Sequence, residues 1–247
     1  MEYEVKTDIT PVDVLAIAAH PDDVEINAGG FVSLLVQQGK KVGLLDLTRG
    51  EMGTRGTADK RHEEALAAAE IMGVSFRANL ELPDSKLINC IEYREKVAKS
   101  IRQSQATFCL ASYFTAKHPD HSIAGELVHG ASWIAGLHNY ELGIDAHRPS
   151  RIFYYPSRYE FEPKFVVDVT DVWEKKKQAC LSFKSQFYNS DSTEPHTEIS
   201  RKDFFAAIES RARNYGRHIG AQYAEPYYMF ESTAVDDPYS LLDKGRF

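Results

Sequence analysis

Two short segments of the chain carry residue types that can bind a metal ion and hydrolyse an amide. HPDD stands at residues 20–23, and HPDH stands about a hundred residues later, at 118–121. Three nitrogen or oxygen protein ligands plus one open water position form a catalytic zinc site. The first segment can place His20 and Asp23 on one side of a metal, and the second can supply a third ligand from another loop.

Either segment alone is weak evidence, because Pro and Asp favour turns and HPD is common in surface loops. Asp22 or Asp23 would in that case simply cap the following helix. The metal interpretation gains strength because each segment follows a buried strand in the predicted order of elements. Ligands of an open α/β sheet bind at the carboxyl ends of its strands, so these loops are expected to converge.

Short apolar runs predict the strands that would position the loops. They cover six ranges: 12–19, 41–48, 76–82, 107–113, 152–155 and 165–169. Helical patterns alternate with them over 28–38, 59–72, 92–103, 122–137, 172–187 and 203–217. This order predicts right-handed βαβ units, and therefore a Rossmann-like three-layer α/β fold whose mostly parallel sheet has helices on both faces. Residues 189–200 are predicted to form an exposed loop, and the tail after Pro226 is predicted to be irregular.

Composition limits the classes of protein to consider. The 247 residues are enough for one α/β domain over 1–247, and the 43% hydrophobic and 26% charged residues are typical of a globular protein. The order of elements shows no linker, and residues 150–247 are expected to form an edge subdomain. A formal net charge of −7 argues against a partner that is nucleic acid or an anionic membrane. The absence of long apolar stretches predicts no transmembrane helix, and three widely spaced cysteines with no visible signal peptide predict a reduced, cytoplasmic protein.

Motifs of other enzyme classes are missing from the sequence. No G-x-G-x-x-G follows the first strand, which argues against a dinucleotide site. The sequence also has no G-x-S-x-G nucleophile motif and no H-E-x-x-H zinc motif. His62 begins the nearest approach to the latter, HEEAL, and is expected on an exposed helix face.

The two segments and their surroundings resemble the PIG-L/LmbE family of zinc-dependent N-acetylglucosamine deacetylases. The similarity begins with AHPDDVEINAGG and HPDH and continues through DLTRGEMGTRGT, NLELPD, FYYPS, FVVDVT and YGRHIGAQYAEPY, spanning about residues 12–228. The latter pieces resemble the bacillithiol-biosynthesis branch, whose members deacetylate N-acetylglucosaminyl malate. The resemblance implies the same Rossmann-like fold, a small-molecule sugar conjugate as substrate, and homo-oligomers that include hexamers.

The resemblance also implies which residues hold the metal. His20, Asp23 and His121 correspond to the ligands of the family pattern, and Asp22 corresponds to the general base. Zn²⁺ is the expected ion, although a His/His/Asp site also suits Fe²⁺, Mn²⁺ or Co²⁺.

Four further residues receive roles from the same pattern. His118 would stabilise the oxyanion or protonate the leaving amine, and Asp120 would orient it. Arg61 falls where the family has a substrate-binding arginine. Lys117 stands where the bacillithiol branch tends to have a basic residue; as a lysine it keeps the charge but lacks the bidentate fork of arginine.

Two other functions remain open at this point. The first is deacetylation of another GlcNAc conjugate, such as a GlcNAc-inositol or an antibiotic precursor. The second is a non-catalytic protein that keeps the metal site for structure or binding. The presence of all the clustered His and Asp residues favours an enzyme.

Overall fold

A computed structural model describes residues 7–241. Its main sheet has five strands: β1 (Val14–Ala18), β2 (Val42–Thr48), β3 (Phe76–Leu82), β4 (Phe108–Ser112) and β5 (Arg151–Tyr155). All neighbouring pairs are parallel, in the order β3-β2-β1-β4-β5. The structure confirms the predicted α/β fold.

Within residues 7–241, six α-helices connect or follow the strands. They are α1 (Asp23–Gln37), α2 (Ala58–Met72), α3 (Ile91–Ser104), α4 (Pro119–Ala135), α5 (Trp173–Leu181) and α6 (Phe204–Arg217). One core joins one face of the sheet to α1, α2, α5 and α6, and a second core joins the other face to α3 and α4. Successive side chains of a strand point to opposite faces of the sheet. In β1, Val14 and Ala16 therefore belong to the first core, while Leu15 and Ile17 belong to the second.

Among residues 7–241, no helix is both long enough and apolar enough to cross a membrane.

Two helices begin earlier than the sequence pattern predicts. Helix α1 begins at Asp23 rather than near Ala28, so the last residue of the HPDD segment belongs to its first turn. Helix α4 begins at Pro119 rather than Ser122, with His118 as its N-cap. Proline is well suited to a first helical position, because the amide hydrogen it lacks would have no partner inside the helix. Both segments therefore stand at helix N-termini.

Helix α5 is shorter than predicted. It ends at Leu181, and the chain from 182 to 187 turns instead of continuing to Phe187. The carboxylate of Glu64 on α2 accepts hydrogen bonds from the backbone N–H and the hydroxyl of Ser185, at 2.8 and 2.6 Å. A contact with a distant helix holds this turn, and the periodicity of a single helix cannot show it.

A second, small sheet lies beside the main one. It pairs β6 (Phe165–Asp168) with β7 (Ala224–Tyr227) in antiparallel fashion, and an isolated bridge joins Tyr228 to Tyr154 of β5. The tail was predicted to be irregular after Pro226, yet Tyr227 pairs with Phe165, and Pro226 itself lies inside the strand, opposite Val166. Proline disfavours a central strand but is tolerated at the edge of a short ribbon, which explains the difference.

A buried carboxylate, Glu225, ties this small sheet to the main core. It accepts hydrogen bonds from Lys176 Nζ at 2.5 Å, from the backbone N–H groups of Gly30 and Phe31 at 2.9 and 2.7 Å, and from Tyr227 at 2.9 Å. A Cβ on Gly30 would lie only 2.8 Å from Glu225 Oε1. Glycine at this position of α1 therefore makes the close approach possible.

Removing the positive partner of Glu225 is expected to destabilise the fold. Lys176→Met leaves a buried carboxylate without its cation, which costs about 3–5 kcal/mol in comparable buried pairs. Urea denaturation should show this loss. Lys177→Met, at a partly exposed neighbour on the same helix, should change the free energy of unfolding by less than about 1 kcal/mol. Equal stability of the two variants would contradict the expectation.

Candidate metal centre and active site

The HPDD and HPDH segments meet at one edge of the main sheet. The first forms the turn from β1 into α1, and the second follows β4 and opens α4. Strands β1 and β4 are parallel neighbours, so their carboxyl ends lie side by side. The structure thus brings together the loops that were expected to converge.

Three side-chain donors form a small triangle at this edge. His20 Nδ1 lies 3.3 Å from His121 Nε2 and 3.4 Å from Asp23 Oδ2, and His121 Nε2 lies 3.1 Å from Asp23 Oδ1. Tetrahedral zinc ligands with bonds of about 2.0–2.2 Å stand about 3.3–3.6 Å from one another. The 3.3 Å between the two ring nitrogens has this spacing, and Asp23 approaches each ring through a different oxygen. The mixed imidazole and carboxylate donors therefore suit a divalent metal ion. His118 also offers a ring nitrogen within 4.8 Å of those of His20 and His121.

Two carboxylates hold the other side of the His20 ring. Nε2 lies 3.1 Å from Asp84 Oδ1 and 3.3 Å from Asp120 Oδ2. When one ring nitrogen of a histidine binds a metal, a carboxylate that accepts the N–H of the other nitrogen fixes the orientation and tautomer of the ring. Here they leave Nδ1 as the nitrogen that faces Asp23 and His121. Asp84 was not among the predicted site residues, although NLELPD, which ends in it, belongs to the similarity described above.

His118 is oriented by main chain and not by a carboxylate. Its Nδ1 accepts a hydrogen bond of 3.2 Å from the backbone N–H of Asp120. The Asp120 carboxylate lies instead beside His20 and the backbone N–H of Ser85. With Nδ1 as acceptor, a neutral His118 ring carries its hydrogen on Nε2. Partial desolvation, followed by the nearby His20 and His121 rings, lowers the pKa of the solvent-accessible His118 side chain and favours that neutral form.

A serine supports the remaining imidazole. Ser157 Oγ lies 2.6 Å from His121 Nδ1, which leaves Nε2 for the donor triangle. Sequence reasoning missed this partner, because a serine carries no metal-ligand signal of its own. The only available indication was its position at the end of FYYPS.

Asp22 has a strained backbone that Arg61 helps to hold. Its φ of 108° is rare for any residue with a side chain. Arg61 donates to the carbonyl of Pro21 from Nε and Nη2, at 3.1 and 2.8 Å, and to Asp22 Oδ2 at 2.8 Å. Arg61, predicted to bind substrate, does line the cavity, but its guanidinium is bonded to the HPDD segment.

The two adjacent carboxylates have opposite electrostatic environments. Burial raises the pKa of Asp22 to about 6, although Arg61 acts in the other direction. Burial would also raise the pKa of Asp23, but the neighbouring rings of His121 and His20 hold it well below its usual range. Of these two carboxylates, Asp23 is therefore the one whose ionised form is favoured by its neighbours.

A cavity of about 560 Å³ opens beside the donor triangle. Helix α6 contributes one wall, in which Phe204 and Ile208 are apolar and Arg211 is charged. Lys117 and Arg158 also line the cavity. This volume is large enough for a small molecule such as a sugar conjugate.

Arg211 is a further residue of the site that sequence reasoning missed. Its neighbour on the same helix, Arg213, pairs with Glu209. Arg211 instead lines the cavity and donates to the Ser157 carbonyl at 2.7 Å and to Asn27 Oδ1 at 3.0 Å. It thereby links α6 to α1 and to the loop that supports His121.

The fold and the donor triangle together define an α/β protein with a candidate mononuclear metal centre at the carboxyl edge of its sheet. Residues 15–132 match the PIG-L family, described as GlcNAc-PI de-N-acetylase. The chain is also 32% identical, over 229 residues, to the diacetylchitobiose deacetylase of Thermococcus kodakarensis, in a match that covers 86% of this chain and 80% of the relative. The chain belongs to the PIG-L family of deacetylases.

Two further similarities show the range of this fold. The conserved protein TT1542 from Thermus thermophilus superposes with a TM-score of 0.83 and 33% identity, covering 91% of this chain and 97% of that one. The 4-oxalmesaconate hydratase of Pseudomonas putida is 30% identical over 189 residues, 68% of this chain and 72% of the relative. Because one relative is a hydratase, the fold alone does not determine the reaction.

Proposed function

We propose that this chain is a metal-dependent hydrolase that removes the N-acetyl group from a GlcNAc conjugate. The observation that carries the proposal is the triangle of His20, Asp23 and His121 at one end of a cavity, with Asp22 beside it. The diacetylchitobiose deacetylase relative, by its name, performs a reaction of this class. Acetate and a free glucosamine amine would be the products.

The donor triangle would hold one divalent ion. When bound, such an ion supplies Lewis acidity, which lowers the pKa of a water molecule and polarises an amide carbonyl. Zn²⁺ suits two imidazoles and a carboxylate, and Fe²⁺, Mn²⁺ or Co²⁺ suit the same donors. Asp84 and Asp120 keep the His20 ring in the orientation that this binding requires.

Asp22 and His118 supply the proton chemistry in this proposal. Asp22 Oδ2 accepts a hydrogen bond from Arg61, and among the described residues no hydrogen bond reaches Oδ1, which is left to take the proton of the attacking water. The Nε2–H of His118 is a donor for the oxygen that becomes negative as the carbonyl carbon turns tetrahedral. The proton that Asp22 has taken then goes to the leaving nitrogen.

Chelation tests the proposal most directly. We expect purified protein to carry about one divalent ion per chain, to lose amide hydrolysis when the ion is chelated, and to regain it when Zn²⁺ is returned. A free-amine assay on GlcNAc conjugates measures the activity. Full hydrolysis by rigorously metal-free protein would overturn the proposal, whereas tight metal binding without hydrolysis would favour the non-catalytic alternative.

The similarity to a hydratase supplies a second candidate reaction, the addition of water to a carbon–carbon double bond. An unsaturated dicarboxylic acid and a GlcNAc conjugate, tested on the same preparation, separate the two. Loss of ultraviolet absorbance without release of acetate would favour the hydratase.

The finer substrate proposal is N-acetylglucosaminyl malate, as the resemblance to the bacillithiol branch implies. The positive charge of Lys117 at the cavity wall supports the proposal that the substrate is a conjugate bearing carboxylates. A GlcNAc-inositol or an antibiotic precursor is the alternative, and comparison of these conjugates decides. The homo-oligomer implied by the resemblance stays a prediction that light scattering can check.

Lys117→Ala is expected to weaken only the binding of anionic substrates. The side chain is solvent-exposed, so the expected rise in KM is about two- to fivefold for a carboxylate-bearing conjugate. The methyl glycoside of GlcNAc, which carries no charge, should show the same KM as with the unchanged protein. An equal loss of activity on both substrates would remove Lys117 from carboxylate recognition.

A further inference from the structure

Three charged side chains from three separate segments meet at the wall of the cavity. Lys117 precedes α4, Arg158 follows β5, and Glu198 belongs to the irregular segment 189–200. Lys117 Nζ donates to Glu198 Oε2 at 3.1 Å, and Arg158 Nη2 donates to Glu198 Oε1. Each oxygen of the Glu198 carboxylate thus accepts a hydrogen bond from one cation. Two basic groups bind the carboxylate of a ligand in the same arrangement.

We infer that Lys117 and Arg158 form a carboxylate-binding subsite, which Glu198 fills from within the chain until a substrate carboxylate displaces it. For its substrate this inference rests on the proposed function, and it adds two residues that the resemblance does not supply. Two cations and one internal carboxylate leave a net charge of +1, so the cluster attracts an anionic group.

The expected cost of displacing Glu198 is small. The side chains of Lys117, Arg158 and Glu198 are 56%, 39% and 39% exposed. Ion pairs of this exposure contribute little free energy to the structure, because water and salt screen the charges. Loss of the internal competitor is therefore expected to strengthen binding of a carboxylate by about two- to fivefold.

The segment that carries Glu198 has a separate attachment, so the side chain can leave without releasing its backbone. Buried Arg55 donates to Ser192 Oγ at 2.8 Å and to the Pro195 carbonyl at 3.1 Å. The backbone N–H of Gly56 donates to the Glu194 carboxylate at 2.8 Å. These bonds hold the first part of the segment against the loop before α2, whatever Glu198 contacts.

The other role open to Glu198 is purely structural, as a tie across the cavity. The two roles predict different results for Glu198→Gln, which removes the charge and keeps the shape. A structural tie predicts equal losses on all substrates. A competing carboxylate predicts a gain that only anionic substrates show.

The experiment compares kcat/KM for N-acetylglucosaminyl malate with kcat/KM for the neutral methyl glycoside of GlcNAc. We expect Glu198→Gln to raise the anionic-to-neutral ratio about two- to fivefold, through KM, and Arg158→Gln to lower it. Glu160→Gln is the matched control, because Glu160 lines the same cavity but contacts Tyr215 and neither cation. An equal ratio in the Glu198 and Glu160 variants overturns the inference, as does an equal loss on both substrates in the Glu198 variant.

A binding measurement separates this inference from the proposed function. Calorimetry with succinate and the metal-loaded protein should give a Kd that Glu198→Gln lowers about two- to fivefold and Arg158→Gln raises. If the gain persists in the double variant Glu198→Gln/Arg158→Gln, succinate is binding elsewhere, including at the metal, and the subsite is wrong. If the chain hydrolyses no GlcNAc conjugate, the proposed function fails, while the succinate titrations still decide the subsite.

Discussion

Asp23→Ala is expected to lose both the bound metal and the amide-hydrolysing activity. Asp23 faces His20 Nδ1 and His121 Nε2 through its two oxygens, at 3.4 and 3.1 Å. Its removal leaves two of the three donors, and two imidazoles alone hold a divalent ion far less tightly. The metal content per chain, measured by atomic emission, and kcat in a free-amine assay should both fall close to background.

The control for this variant is Asp171→Ala, which removes an exposed carboxylate far along the chain. It should keep its metal and its kcat. Asp23 Oδ2 also accepts a hydrogen bond from the backbone N–H of His20, so circular dichroism must show that the Asp23 variant is folded. A folded Asp23→Ala protein with a full complement of metal would show that Asp23 is not a ligand.

Asp22→Asn is expected to keep its metal and to lose kcat by a factor of about 10²–10⁴, the usual contribution of a general base. Asparagine retains the shape of aspartate and an oxygen that accepts the Arg61 hydrogen bond, but it cannot take up the proton of water. It also tolerates the positive φ of this position at least as well as aspartate, so the turn should be preserved. Metal content and kcat, measured on one preparation, give both parts of the result.

The two variants together distinguish the roles of Asp22 and Asp23, which are adjacent and have the same side chain. Loss of metal by Asp22→Asn with retention by Asp23→Ala would exchange their roles. Near-normal kcat in both would mean that the HPDD segment is not the active site. Thr48→Val, which removes a hydroxyl bonded to the Ala19 carbonyl at 3.0 Å, controls for mild disturbance of the same turn. We expect that variant to keep most of its activity.

The sequence by itself determined the order of the elements and the meeting of the two segments. Apolar runs mark β1 and β4 because both faces of a parallel strand are buried. Residues that directly follow such strands must lie at one edge of the sheet, so His20 and His121 could be brought together by topology alone. Helix starts were less accurate, since the first turns of α1 and α4 carry the polar site residues and no apolar stripe.

Only the tertiary structure decided which neighbour each side chain contacts. Asp84 and Asp120 share His20 because three loops after β1, β3 and β4 converge there. Arg211 reaches the cavity, whereas Arg213, two residues further along the same helix, pairs at the surface. Such contacts join residues far apart in sequence, and their direction depends on how helices and loops pack, which local pattern does not encode. For that reason the residue types predicted a metal-dependent hydrolase, while the pairing of Glu198 with Lys117 and Arg158 emerged from packing.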